Sequence, residues 1–256
     1  MATLIVNADD FGIHSYVNSA IAACVDFGSI NSVSVIANGT SPEFELLKRF
    51  FEKGIFIGAH ITWVGEPWIS EPLFFSDWKS LLRQLITGGK SFRTKLYHEA
   101  EAQIQRLVAA GITPEHIDSH QHLHHFPGLW QITTGLQQKY GIGRIRTARA
   151  RNYALQRKTF SGFVLNLLAT GKFGENGFYC AGVALSGNYN NSLFDTELDM
   201  MQGYNIELIV HPGLNNKELN KRYASWHFNW EQEFAALMSD DFIKAINKHQ
   251  YNLLRK

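Results

Sequence analysis

Short apolar, β-branched runs alternate along the chain with longer amphipathic stretches, the pattern of βα units around a parallel sheet. The predicted strands are Leu4–Ala8, Ser32–Ala37, Ile55–Ala59, His116–Asp118, Gly143–Thr147 and Glu207–Val210. Helical periodicity runs over Val17–Phe27, Pro42–Lys53, Thr94–Ala110, Pro127–Tyr140 and Phe234–His249. Gly28, Gly54 and Gly111 stand where a helix ends in a left-handed residue, and Pro127 suits a first turn, whose N–H groups have no partner within the helix. Two stretches resist the scheme: Thr62–Trp78, rich in tryptophan, phenylalanine and proline, and Arg149–Gly187, which has little periodicity. No repeat, low-complexity segment or linker interrupts the order, so residues 1–256 read as one α/β domain, a barrel or a layered sheet.

The polar residues gain meaning from where they fall on this pattern. Asp9 and Asp10 follow LIVNA, His60 follows IFIGA, a histidine run follows HID, and His211 follows ELIV. In parallel α/β folds that end of the strands is where loops converge and ligands bind. The run itself, HIDSHQHLHHFP at 116–127, holds five of the chain's 11 histidines. Imidazole and carboxylate together suit a borderline divalent ion such as zinc, and Asp10, His60 and His120 make a three-ligand set that leaves a position open for water. His120, His122 and His124 recur at period two; if extended chain continues past Asp118 they share a face, and some then orient ligands or meet substrate. Singly these signals are weak, since paired aspartates also make turns and caps, and histidine tracts bind metal whatever their role. Their joint placement at matching strand ends is what points to a metal site.

Composition narrows the partner. With 18% charged residues, 45% hydrophobic residues and a net charge of +1, the chain is neither a disordered segment nor an electrostatically driven nucleic-acid binder, which leaves a small or neutral molecule. Cys24 and Cys180 follow no CxxC spacing, so a reducing compartment is expected. MATLIVNADD has no basic region or cleavage site and reads as a first strand, and the apolar stretch around Phe160–Leu168 is too short and interrupted to span a bilayer. The expected location is cytoplasmic.

VNADDFG near the N-terminus, GAH at 58–60, HIDSHQHLHHFP at 116–127 and VHPG at 210–213, in this order and spacing, resemble the YdjC-like carbohydrate deacetylases. The resemblance implies an irregular (β/α) barrel of the polysaccharide-deacetylase type. It also implies one divalent metal ion, zinc or magnesium, on Asp10, His60 and His120, and hydrolysis of an N-acetyl group on an amino sugar or oligosaccharide. Asp9 is then the general base and His211 the general acid, supported by Asp118 or His122. The chain departs from the family pattern at His14, Ala59 and Ile61, near the site, which bears on substrate choice.

Other residues keep two readings at this stage. Trp63 and Trp68 in the aromatic stretch either meet the apolar faces of a sugar, pack on the barrel rim or form a homodimer contact, and Trp226, Phe228 and Trp230 pose the same choice. Arg146 and Arg149 either bind an anionic group of the substrate or form salt bridges. The rival functions are a metal-dependent phosphoesterase and a non-catalytic sugar- or metal-binding protein on the same fold. Against the last, a purely structural metal site needs neither base nor acid nor an open position.

Overall fold

The structure is a computed structural model that describes residues 1–149, 160–170 and 177–256; part of the aperiodic stretch Arg149–Gly187 lies outside them. Eight strands form one sheet: β1 (Ala2–Phe11), β2 (Ser32–Val35), β3 (Phe56–Ile61), β4 (His116–Ser119), β5 (Arg144–Ile145), β6 (Tyr179–Ala181), β7 (Ile206–Val210) and β8 (Tyr251–Leu253). Their order is β5-β4-β3-β2-β1-β7-β6, with β8 paired to the first residues of β1 and every pairing parallel. The sheet curls into a half-barrel with helices packed outside. Among the described residues β5 and β6 share no ladder, but the edges approach where the Cys180 N–H donates to the Arg149 carbonyl at 2.9 Å.

The strands are apolar on one face and polar on the other, and this division places the site. Side chains alternate across a strand. Leu4, Val6 and Ala8, with Val33 and Val35, Ile57 and Ala59, Ile117, Ile206 and Leu208, belong to the buried core that packs against the helices. The intervening residues Asn7, Asp9, Ser32, Ser34, His60, His116, Asp118, Arg146 and Glu207 are also buried, yet bond to one another. The concave interior is therefore a hydrogen-bonded polar network, where barrels of this kind more often hold branched aliphatics. Gly58 is part of this arrangement: a Cβ there would stand 2.1 Å from His116 Nε2, so only glycine leaves room for that ring.

The predicted strands all occur, some with shifted ends, while the short β6 and β8 carry too few residues for periodicity to reveal them. The predicted helix Phe234–His249 divides into Trp230–Leu237 and Asp240–Lys248, because Ser239 turns the chain and its Oγ accepts the Phe242 N–H. No helix among the described residues is long and apolar enough to cross a membrane.

Candidate active site

Two adjacent residues of one strand normally face opposite ways, yet Asp9 and Asp10 both line the same cavity. Asp9 shares the interior face with Asn7, whose Nδ2 donates to Asp9 Oδ1 at 2.7 Å. Asp10 is brought round by a β-bulge: the β1–β2 register shifts between Ala8 and Phe11, and Asp10 takes a left-handed φ of 65°. Bulges re-aim side chains in this way, and a non-glycine residue held at positive φ is a local strain that the surrounding structure must fix.

Asp10 Oδ1 lies 3.1 Å from His120 Nδ1 and 3.5 Å from His60 Nε2, and its Oδ2 lies 3.9 Å from His211 Nε2. One donor atom each from Asp10, His60 and His120 falls within 4.8 Å of the others, as do those of Asp9, His60 and Asp118 and those of His116, Asp118 and Glu207. The first set has the features of an ion site. Asp10 Oδ2 is buried with no hydrogen-bond partner, which is costly without a cation to satisfy it. His60 Nδ1 lies 2.8 Å from the Asp118 carboxylate and its Nε2 is turned toward Asp10; against burial, Asp118, Asp9 and Asp10 raise the imidazole to about 10, and a cation at Nε2 would take the place of that proton. The residues present fit a divalent metal ion. The other two sets are already consumed by Arg146 and its hydrogen bonds.

Arg146 is fully buried at the centre of the network. Its Nη1 and Nη2 donate to Asp9 Oδ2 and Oδ1, both at 2.8 Å, its Nε donates to Glu207 Oε1 at 2.9 Å, and Nη2 lies 2.7 Å from Asp118 Oδ2. Burial alone would raise the carboxyls of Asp118 and Glu207. For Asp118 the charges of Arg146 and His60 outweigh it and hold the group well below the usual range; for Glu207, Arg144 and Arg146 bring it to about 2. Arg146 is thus committed to protein carboxylates and is not a receptor for an anionic substrate group; it orients Asp9 and, through Asp118, His60. Arg149, the other arginine of that expectation, is the residue whose carbonyl meets Cys180.

The histidine run does not continue as a strand. His120–His125 forms a 3₁₀ turn in which Gln121 and His122 both adopt left-handed φ, 55° and 54°, so the expectation of three imidazoles sharing one extended face is corrected. His120 enters the metal set, and His122 lines the cavity beside Gln121, its imidazole held well below its ordinary pKa by burial and the charge of Arg146. His124 turns away from the cavity. Its Nδ1 lies 2.8 Å from Ser119 Oγ and its Nε2 2.9 Å from the Arg146 carbonyl, which ties the turn to the chain that carries the arginine. His125 accepts the Ala148 N–H on the same segment.

His211 completes the cavity. Burial lowers its imidazole pKa, against the raising charges of Asp10 and Asp9. Its backbone N–H donates to the buried carboxylate of Glu233 at 2.6 Å, and Glu233 also accepts the Tyr189 N–H at 3.1 Å. The cavity measures about 250 Å³, is open to solvent, and is lined as well by Val183, Ser186, Trp226 and Phe228. The Trp226 ring centroid stands 4.8 Å from that of His120, and the Phe228 centroid 4.8 Å from that of His211. Gly187 permits this roof, since a Cβ there would meet the Phe228 ring at 2.2 Å.

Trp63 and Trp68, in contrast, are buried away from the cavity. Trp63 Nε1 donates to the Leu96 carbonyl and Trp68 Nε1 to the Trp63 carbonyl, while Trp68 packs on Phe75 and Phe92. Glu99, itself buried, accepts the Ile69 and Ser70 N–H groups and pins the stretch to the helix Gly89–Ala109. Their expected contact with substrate is therefore corrected: their apolar area is spent on the core, and Trp226 and Phe228 supply the aromatic surface instead. His14 likewise stays outside, its Nδ1 capping the helix Ser15–Phe27 through the Tyr16 N–H at 3.2 Å.

Residues 3–248 match the family model described as YdjC-like protein. The chain belongs to the YdjC-like family. Among curated relatives, a carbohydrate deacetylase of Oceanobacillus iheyensis is 27% identical over 91% of this chain and 95% of its own length. A chitooligosaccharide deacetylase of Proteus mirabilis is 28% identical over 98% and 96%. The match to a carbohydrate deacetylase of Geobacillus stearothermophilus is stronger, 33% identity, but spans 57% of this chain and 60% of that protein. Among solved structures, an Enterococcus faecalis protein described as a candidate for cellobiose-phosphate cleavage superposes with a TM-score of 0.73 at 19% identity, covering 99% of this chain and 97% of that one. A family 4 carbohydrate esterase of Streptomyces lividans in complex with acetate gives 0.52 at 10% identity, covering 97% and 90%. These two structures share the YdjC-like chain's fold.

Proposed function

We propose that this YdjC-like chain is a metal-dependent carbohydrate deacetylase that hydrolyses the N-acetyl group of an amino sugar or oligosaccharide. One observation carries the reading: a His₂Asp ligand set, a carboxylate fixed by a buried arginine, and a histidine held by its own backbone line a single cavity. The names of the relatives that align along nearly their whole length support the same chemistry.

Asp10, His60 and His120 would hold a divalent ion, zinc or magnesium, which would supply Lewis acidity toward an acetyl carbonyl and toward water. The rest belongs to side chains. Arg146 and Asn7 restrict the Asp9 carboxylate to one orientation, and its Oδ2 accepts a single bond from Arg146, which leaves a lone pair for the proton of the attacking water. The hydroxyl of that water goes to the acetyl carbon. When the C–N bond breaks, the departing nitrogen needs a proton, and His211 is the imidazole placed to give it. Burial lowers the His211 pKa, so the imidazole starts uncharged, and the proton that Asp9 takes from the water is the one that passes through His211, in the cavity both line, to the departing nitrogen. The products are acetate and the free amine. Trp226 and Phe228 offer apolar faces of the kind that pack against sugar rings and exclude water from the reacting bond.

The test is acetate release from a panel of N-acetylated sugars by metal-stripped protein and by the same sample reloaded with Zn²⁺, Mg²⁺, Mn²⁺ or Co²⁺. Metal-dependent release is the expected result. A protein that binds metal stoichiometrically yet frees acetate from none of them would overturn the assignment in favour of a phosphoesterase or a binding protein.

A further inference from the structure

The loop that follows β3 and the segment that follows β7 meet at a buried carboxylate. Glu66 accepts Arg222 Nη2 at 3.0 Å on Oε1 and at 2.8 Å on Oε2, and its Oε1 also accepts the Tyr223 hydroxyl at 2.9 Å. Gly65, beside it, passes close enough to His120 that a Cβ there would stand 3.9 Å from the imidazole Cδ2. From the Tyr223 hydroxyl a row of tilted rings runs back to the cavity: the Tyr223 centroid stands 4.5 Å from that of Trp226, which stands 4.8 Å from that of His120. The backbone follows the same path, the Trp226 N–H donating to the Tyr223 carbonyl at 2.9 Å. Trp226 itself sits on a single 3₁₀ turn, Ala224–Trp226, in which no residue is buried, so the turn has little core of its own to hold it. Its anchor on this side is Tyr223, whose ring is buried and whose hydroxyl is fixed by Glu66.

Burial raises the Glu66 carboxyl, and the charge of Arg222 with the bonds from Tyr223 and Arg222 does not fully offset it. A contact that serves stability alone is as well made by packed apolar groups of similar volume as by a buried ion pair. What the carboxylate adds is direction: Oε1 takes two donors at once and so sets the angle of the Tyr223 phenol as well as its depth. We propose that Glu66 is a positioning residue, which acts through Tyr223 to hold the Trp226 ring over His120 and so fixes the aromatic side of the cavity before a substrate enters. The proposal rests on the deacetylase reading for its effect on turnover and on the geometry alone for its effect on Trp226. Glu66 does not line the cavity. The stretch Thr62–Trp78 thus reaches the site through this carboxylate, and not through its tryptophans.

The experiment places fluorotryptophan in the full chain, assigns the Trp226 fluorine resonance by its loss in Trp226→Phe, and follows it in Glu66→Ala and Tyr223→Phe beside acetate release from N-acetylglucosamine and its oligomers by the metal-loaded protein. Arg222 is partly exposed, so water can replace the carboxylate, and Tyr223→Phe removes a single oxygen, which keeps a folded variant in hand where Glu66→Ala is unstable. Both variants are expected to shift or broaden the Trp226 resonance and to lower kcat/KM about fivefold to tenfold, the scale of one hydrogen bond. Glu66→Gln, which keeps an oxygen for Tyr223, is expected to recover most of that loss. In a Trp226→Ala background the same changes at Glu66 and Tyr223 are expected to cost less than about twofold, because the group through which they act is gone. A Trp226 resonance unmoved in both variants, or losses that multiply in full with that of Trp226→Ala, overturns the proposal. Absence of acetate release by the unaltered protein, with the Trp226 resonance still moved by both variants, overturns the deacetylase reading and leaves the positioning role of Glu66 standing.

Discussion

Arg146 and Asp9 form two parallel bonds of 2.8 Å inside the half-barrel, and the same guanidinium reaches Glu207 and Asp118. A planar fork can serve several carboxylates at fixed angles, whereas an ammonium is a compact point charge. Arg146→Lys keeps the charge but loses the fork, and is therefore expected to cost about 1–3 kcal/mol of stability, the scale of a buried hydrogen-bonding group left unsatisfied, and to lower kcat by freeing Asp9 to rotate. Denaturant unfolding and acetate-release kinetics measure the two effects. A lysine variant with unchanged kcat would remove Arg146 from the positioning of Asp9.

The paired aspartates should separate by experiment. Asp10→Asn is expected to lose the metal, because the carboxylate between His60 and His120 is gone. Asp9→Asn should keep the metal while kcat falls by about 10²-fold or more, the usual contribution of a general base. Metal content by plasma emission beside kcat distinguishes them. Loss of metal from Asp9→Asn with Asp10→Asn still loaded would exchange the two roles.

The tryptophans should divide in the same way. Trp63→Ala removes a fully buried side chain together with its Nε1–H bond to the Leu96 carbonyl, so about 3–5 kcal/mol of stability should go. Trp226→Ala opens the roof over His120 and should act on KM and kcat with little loss of stability. Thermal unfolding together with steady-state kinetics decides; a large KM change in a Trp63 variant that remains stable would return that residue to the substrate.

Glu233 makes stability depend on pH. Burial raises its carboxyl from 4.5 to about 7, against the lowering effect of the His211 and Tyr189 N–H groups. The folded protein therefore binds this proton more tightly than the unfolded chain does. The stabilising contribution is whole below about pH 4.5 and is lost as pH rises toward 7, a difference of up to about 3 kcal/mol. Glu233→Gln, which cannot ionise, should flatten that part of the stability–pH curve in urea titrations. An identical slope in the variant would assign the effect to another group.

Much of this site is legible in the residues themselves, for physical reasons. Asp9, Asp10, His60, His120 and His211 stand at or next to the ends of strands whose apolar cores are long enough to recognise, so their convergence follows from the topology of a parallel sheet. The run after β4 misleads, because period-two spacing is read as extended chain and nothing in HQHLHH announces two left-handed residues. The inner network could have been found from an available signal. SVSV and HID alternate polar with apolar, and IELIV sets one glutamate in an apolar run, where a fully buried parallel strand runs continuously apolar; those polar positions mark Ser34, His116 and Glu207 as interior groups. The burial of Trp63 is different in kind: its partners on the helix Gly89–Ala109 are about thirty residues away, and local composition does not encode which of two surfaces an aromatic residue covers.

The bulge in β1 makes residue count, and not only residue type, a condition for both carboxylates to line the cavity. Remove one residue between Ala8 and Phe11 and the strand can still pair with β2 and still bury its aliphatic face, but regular alternation returns and one carboxylate is turned outward. No substitution elsewhere in β1 restores it, because the inward pair exists only by virtue of the extra position. A lineage carrying such a deletion would lose one of the two inward carboxylates in a single event, while the aliphatic face of the strand stayed in place.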